Sequence, residues 1–111
     1  MSIITEKELV AARSLPNSAS ALYEVPLSTQ TIVKQILVAN TTPTDLTATL
    51  YFVADGDSPS SSNSMFPEVV VSANSTLSID IKSVLPVLSS IYGKASASAS
   101  LNIHISGVEV S

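Results

Sequence analysis

The sequence predicts an all-β protein, an antiparallel β-sandwich of about eight short strands. Three observations predict it. Apolar and polar residues alternate at a period of two in three separate segments, the mark of strands buried on one face only, which suits antiparallel sheets. Turn-forming residues punctuate the chain at about the spacing of a sandwich or barrel. Helical periodicity is scarce. With 111 residues, 45% of them hydrophobic, residues 1–111 form one domain, because a second independent core would be too small to hold.

The elements follow in chain order. Leu9-Val10-Ala11-Ala12 reads as a short strand within an N-terminal segment, 1–18, that is expected to be loosely held. Ala21–Val25 is a second strand. Ile32–Ala39 is rich in β-formers, with Ile32, Ile36 and Val38 on one side and Val33 and Leu37 opposite. That second apolar face suggests a strand covered by a loop or by a neighbouring subunit. Thr47–Phe52 alternates cleanly, placing Leu46, Ala48, Leu50 and Phe52 inward and Thr47, Thr49 and Tyr51 outward. Leu77–Lys82 and Leu101–Ser106 repeat the clean alternation, and Glu68–Val71 reads as a strand less sharply. The expected core is Leu22, Ile32, Ile36, Val38, Leu50, Phe52, Val69, Val71, Leu77, Ile79, Ile81, Leu101, Ile103 and Ile105.

Three segments read differently. Asp55–Ser64 is Ser-rich with nothing useful to bury, and is expected to be an exposed, mobile loop. Ser83–Ser90 is the one place for a helix, with Pro86 tolerated in a first turn; a single turn or irregular crossing is the preferred reading. Ala95–Ser100 alternates Ala and Ser and reads as a strand with small side chains.

Charge excludes several functions. The net charge is −4, and Lys7, Arg13, Lys34, Lys82 and Lys94 are scattered. Phosphate-rich nucleic acids and anionic membranes both need converging cations, so neither is expected as a partner. There is no cysteine, which removes disulfides, thiolate nucleophiles and Cys-based zinc sites. The opening Met1–Glu8 lacks the basic and apolar regions of a signal peptide, and no apolar run reaches the length of a membrane span. Synthesis in a cytoplasm without classical export is the expectation.

No catalytic, metal or cofactor site is expected. His104 is the single histidine, on the polar side of a strand, with no second soft ligand for zinc and no marked serine nucleophile. Asp55-Gly56-Asp57 with Ser58 and Ser60 resembles a calcium loop only faintly. An EF-hand would need Gly and Glu where Ser60 and Phe66 stand, and Glu68 is out of register. Asn40-Thr41-Thr42 and Asn74-Ser75-Thr76 match the glycosylation pattern but read as turn chemistry, in which Asn tolerates left-handed backbone. Tyr23, Tyr51 and Tyr92 would have to serve any sugar-stacking site, since Trp is absent. The three glycines, Gly56, Gly93 and Gly107, cannot build a phosphate-cradling loop.

Several phrases carry a resemblance. Leu22-Tyr23-Glu24-Val25-Pro26 is followed by Thr31–Thr41, then Ala48–Gly56, and finally Leu101–Val110 with its Ser106-Gly107-Val108-Glu109 close. In this order they resemble the small tail-associated structural proteins of long-tailed bacteriophages of Gram-positive hosts, across most of the chain. The resemblance implies a jelly-roll-like sandwich, with an immunoglobulin-like topology as the alternative. It implies a non-catalytic virion protein whose partners are other virion proteins, located in the virion. It supplies no binding residues. The chain departs from the pattern at Val84–Ile91, where the relatives tend to carry a short glycine-containing turn. The alternative function is a module that recognises a host cell-wall saccharide. A tyrosine-lined groove would mark that module, and a flat apolar patch at Val33 and Leu37 would mark assembly. Whether the chain forms a homo-oligomer is left open by the residues.

Overall fold

The computed structural model describes residues 3–97 and 100–111. Eight strands form two antiparallel four-stranded sheets. They are β1 (Ile4–Ser14), β2 (Ser20–Glu24), β3 (Gln30–Asn40), β4 (Leu46–Val53), β5 (Ser64–Val71), β6 (Ser75–Leu85), β7 (Ser90–Ala95) and β8 (Leu101–Val110). The first sheet runs β1-β8-β3-β6 and the second β2-β7-β4-β5. Of the connections only β4–β5 joins neighbours in one sheet; the others cross between sheets. That strand order is a jelly roll, and it replaces the immunoglobulin-like alternative.

Between the sheets lies one core. Leu15, Val25, Val33, Ile36, Leu101, Ile105 and Ile91 are fully shut off from solvent, and Val38, Leu50, Val71 and Ile103 nearly so. Leu22, Phe52, Leu77, Ile79 and Ile81 pack against this cluster but stay partly exposed, as does Val69. Most of these six lie on the edge strands β2, β5 and β6, where one flank of each side chain has no neighbouring strand.

Bulges account for the largest departures from simple alternation. Between Val33 and Gln35 the β3–β8 register shifts, with Val33 opposite Gly107 and Gln35 opposite Ser106. Lys34 is the extra residue, so the inward set changes from odd to even positions. Thr31 and Val33 point inward before it, and Ile36, Val38 and Asn40 after it. Ile32, expected in the core, is therefore on the outer face and half-buried, while Val33, expected outside, is core. The apolar patch at Val33 and Leu37 does not form.

The N-terminal strand is longer than Leu9–Ala12. Residues 4–14 make a long edge strand hydrogen-bonded to β8, with bulges that let the consecutive Leu9 and Val10 both be buried. Leu15 then enters the core and donates its backbone N–H to Leu101 O at 2.8 Å. Ser83–Leu85 extends β6, and the chain turns at Pro86–Ser89, with Leu88 at φ 63. No helix forms there. Of the Ala95–Ser100 run, only Ala95 belongs to a strand; Ser96 and Ala97 bend, Ser100 has no regular structure, and residues 98 and 99 lie outside the described set.

The Ser-rich segment is exposed but internally tied. Asp57 N–H donates to Ala54 O, Asn63 Nδ2 donates to Ser58 O at 2.9 Å, and Ser60 N–H donates to Asn63 Oδ1 at 2.9 Å. These bonds hold one 3-10 turn, Ser61–Asn63, directly before β5.

Candidate functional site

The residues with chemical potential are spread over several places. On the outer face of the first sheet, His104 Nε2 and Glu8 Oε2 lie 2.8 Å apart between β8 and β1. Their side chains are 30% and 62% exposed. A pair this open is screened by water and contributes little. It lies on the outer strand face, where His104 borders one shallow depression and Glu8 another.

At one end of the sandwich Tyr23 reaches from the second sheet into the first. Its hydroxyl donates to Glu109 Oε2 at 2.5 Å and lies 2.8 Å from Thr31 Oγ1. With the phenolic proton given to the carboxylate, the Thr31 hydroxyl is the donor in the second bond. Lys7 Nζ approaches Glu109 Oε1 at 3.4 Å. Burial, and then the bond to Glu109, push the Tyr23 hydroxyl up from 10.0 to about 12, against a smaller lowering by Thr31. A phenol held neutral by these contacts clamps the two sheets together and offers no acid or base near neutral pH.

At the opposite end Asn40 is 2% exposed. Its Nδ2 donates to Thr44 O at 2.8 Å and Val71 O at 2.9 Å; its Oδ1 accepts from Thr42 N–H and the Thr42 hydroxyl. All four hydrogen-bonding sites of the amide are satisfied. Asn74 sits in the left-handed region at φ 55. Both motifs with the glycosylation pattern thus serve turns.

The second sheet carries a shallow groove on its outer face. Thr49 and Tyr51 project outward from β4 yet are only 6% and 8% exposed, because β5 and the 61–63 turn rise beside them. Two adjoining depressions of about 320 and 180 Å³ share Thr49, Glu68 and Lys94. Glu68 takes a left-handed backbone at φ 43, in a bulge where Ala48 faces Val69 but Leu50 faces Phe66. Its N–H donates to Thr49 Oγ1 at 3.0 Å. Alternation alone had placed Thr49 and Tyr51 on an open face, and no signal in a single sequence marks the bulge that walls them in.

The structure does not gather the three tyrosines. Tyr23 is committed to Glu109, and Tyr92 is the cross-strand neighbour of Tyr51, which alone of the three lines the groove. Among the described residues no group of three or more His, Asp or Glu side chains could hold a metal ion, so Asp55, Asp57 and Glu68 do not converge. No helix of the described chain is long and apolar enough to cross a membrane.

Fold and geometry together define a jelly-roll domain with dispersed polar contacts. No protein-family model matches the chain, and no curated protein matches it. Its fold is similar to solved structures. One is from the study "Bacillus endospore appendages form a novel family of disulfide-linked pili", at a TM-score of 0.54 and 14% identity, covering 99% of this chain and 88% of that one. Another is from a crystal structure of the T13 particle of infectious bursal disease virus, at 0.55 and 6%, covering 98% of this chain and 30% of that one. A third, from the Gx strain of that virus, matches at 0.50 and 11%, covering 98% and 31%. The chain spans about a third of the viral chains it matches. At these identities the likeness is one of fold.

Proposed function

We propose that this chain is a non-catalytic structural subunit that acts by protein-protein contact, as a tail-associated component of a bacteriophage virion. One observation carries the contact reading. Among the described residues seven large apolar side chains are exposed; Ile3, Ile4, Leu27, Val84 and Val87 lie at one end of the sandwich, Met65 lies midway along it and Val70 towards the other end. Strand pairing brings the first five together. Ile4 faces Val110, Val110 faces Gln30, and Thr31 faces Leu85 in the first sheet; Glu24 faces Ser90 and Ser90 faces Val53 in the second. The 25–29 and 86–89 turns are tied by Val25 N–H to Ser89 O and Leu88 N–H to Val25 O. Exposed apolar side chains on a monomer are ordinarily scattered; gathered ones mark a contact surface.

The fold neighbours support the structural reading, since one is described as a pilus protein and the others belong to virus particles. The phage reading rests on the sequence resemblance. Without cysteine this chain has no thiol with which to form disulfides, unlike the disulfide-linked pili of the neighbour's description. Immunogold labelling of purified virions with an antibody to this protein tests the proposal. Label at the tail is expected, and tail-free label or none overturns the phage reading. A Leu27→Asp/Val84→Asp variant should fold but fail to join the particle; undiminished incorporation overturns the contact surface.

A further inference from the structure

The groove over β4 combines an unpartnered hydroxyl, a bulged left-handed residue and two unlike charges. Ser64 Oγ is shut off from solvent, lines the groove and has no hydrogen-bond partner. An orphaned buried hydroxyl is unfavourable until something bonds it. Glu68 is held in a backbone conformation uncommon outside glycine, and such strain concentrates where side chains are aimed at a ligand. Lys94 pairs with Thr49 from β7, and Glu68 bonds Thr49 from β5. The two unlike charges thus flank one threonine across two interstrand spacings, roughly 10 Å. Neither side chain makes an ion pair or hydrogen bond among the described residues.

We infer that this groove binds a short oligosaccharide bearing acetamido groups. The chemistry selects the class. The walls are hydroxyls, from Tyr51, Ser60, Ser61 and Ser64, which can both donate and accept as sugar hydroxyls require. One free carboxylate and one free ammonium cancel, so the groove does not attract a polyanion. An acetamido group matches them: its N–H donates to Glu68 and its carbonyl accepts from Lys94. Tyr51 at the floor offers a ring edge and a hydroxyl together. An extended peptide fits less well. Peptides add to sheets at an edge, where backbone groups are unpaired, whereas β4 is paired on both sides, to β5 and β7. From Tyr51 to Thr47 the groove runs along four residues of strand, about 14 Å, which accommodates more than one sugar ring.

The inference does not depend on the assembly reading, because it concerns a different face of the isolated chain. The test is an amide chemical-shift titration of the full-length ¹⁵N-labelled protein. Its three probes are the N-acetylglucosamine trimer, the glucose trimer and a Gly-Ser tetrapeptide. Saturable shifts confined to Thr49, Tyr51, Ser64, Glu68 and Lys94 are expected with the first probe alone. Glu68→Ala and Lys94→Ala, both at solvent-accessible positions, should each weaken it roughly five-fold or more, the effect of losing one good hydrogen bond. Absence of saturable shifts, equal binding of the glucose trimer or the peptide, or affinity unchanged in both variants would overturn the inference.

Discussion

Substituting Gly107 by alanine should be among the most damaging small changes in this protein. Gly107 lies on β8 between Lys7 of β1 and Val33 of β3, beside the bulge at Lys34. A Cβ added there would stand 2.2 Å from the Ile32 carbonyl oxygen and 3.0 Å from Leu9 Cδ1. Ordinary contact begins at 3.4 Å, so β3 and β8 would have to part by about 1 Å, well beyond what a packed interior tolerates. A backbone oxygen cannot rotate away as a side chain can. The overpacking costs about 1–3 kcal/mol, and stretching one or two ladder bonds on either side adds about 1–2 kcal/mol. Alanine returns about 0.4–1 kcal/mol by restricting the unfolded chain. The net loss should be about 1–4.6 kcal/mol, centred on about 3 kcal/mol, a large share of the roughly 5–15 kcal/mol that holds a domain of this kind folded. Gly93 is the internal comparison. Its added Cβ would meet the ends of Leu22, Leu15 and Leu50 at 2.9, 3.0 and 3.0 Å, all of them side-chain tips that can turn aside, so Gly93→Ala should cost about 1–2 kcal/mol. Urea unfolding of both variants, read as the shift in midpoint at constant slope, measures the difference. A Gly107→Ala protein within about 1 kcal/mol of the parent, or one more stable than Gly93→Ala, would refute this account of how β3 and β8 meet.

Three further outcomes are expected. Val33→Ala should lower stability by roughly 2–3 kcal/mol and Ile32→Ala by less than about 1.5 kcal/mol, because the bulge buries the first and leaves the second on the outer face; the reverse order in thermal melts would mean that β3 is not bulged at Lys34. Asn40→Ala should cost about 2–4 kcal/mol by stranding the Thr44 and Val71 carbonyls, and hydrogen exchange should quicken at the 41–45 turn first. Tyr23 should ionise later than an ordinary tyrosine. Its hydroxyl is pushed from 10.0 to about 12, so the folded state prefers the neutral phenol. The stability it lends is complete below pH 10 and is lost as pH rises towards 12. A spectrophotometric titration at 295 nm should show a late step that Tyr23→Phe abolishes, and an unaltered curve in that variant would remove Tyr23 from the clamp.

The polar contacts were only partly legible in the residues. Asn40 and Asn74 fall where Asn supplies side-chain bonds or a left-handed turn, and that chemistry is local, so the sequence shows it. The Tyr23–Glu109 contact spans 86 positions, and the groove depends on a bulge in β5 and a turn held by Asn63. Neither has a short-range signal. The exposed Ser-rich segment was expected from composition, but its internal bonds were not, because each uses a serine or asparagine that would look the same in a structureless loop.

By itself the sequence determined the class of structure. Alternation at Leu46–Phe52, Leu77–Lys82 and Leu101–Ser106 imposes strands, since only that conformation places every second side chain on one apolar face. Tertiary structure decided the order of the strands, the bulges that exchange Ile32 for Val33, and the burial of Thr49 and Tyr51. It also turned an N-terminal segment of weak periodicity into the edge strand beside β8. The physical reason is the same in each case. Which partner a strand takes, and where one extra residue is absorbed, is settled by the fit of whole sheets against one another, and a period of two read along one strand holds no information about the strand that will lie beside it.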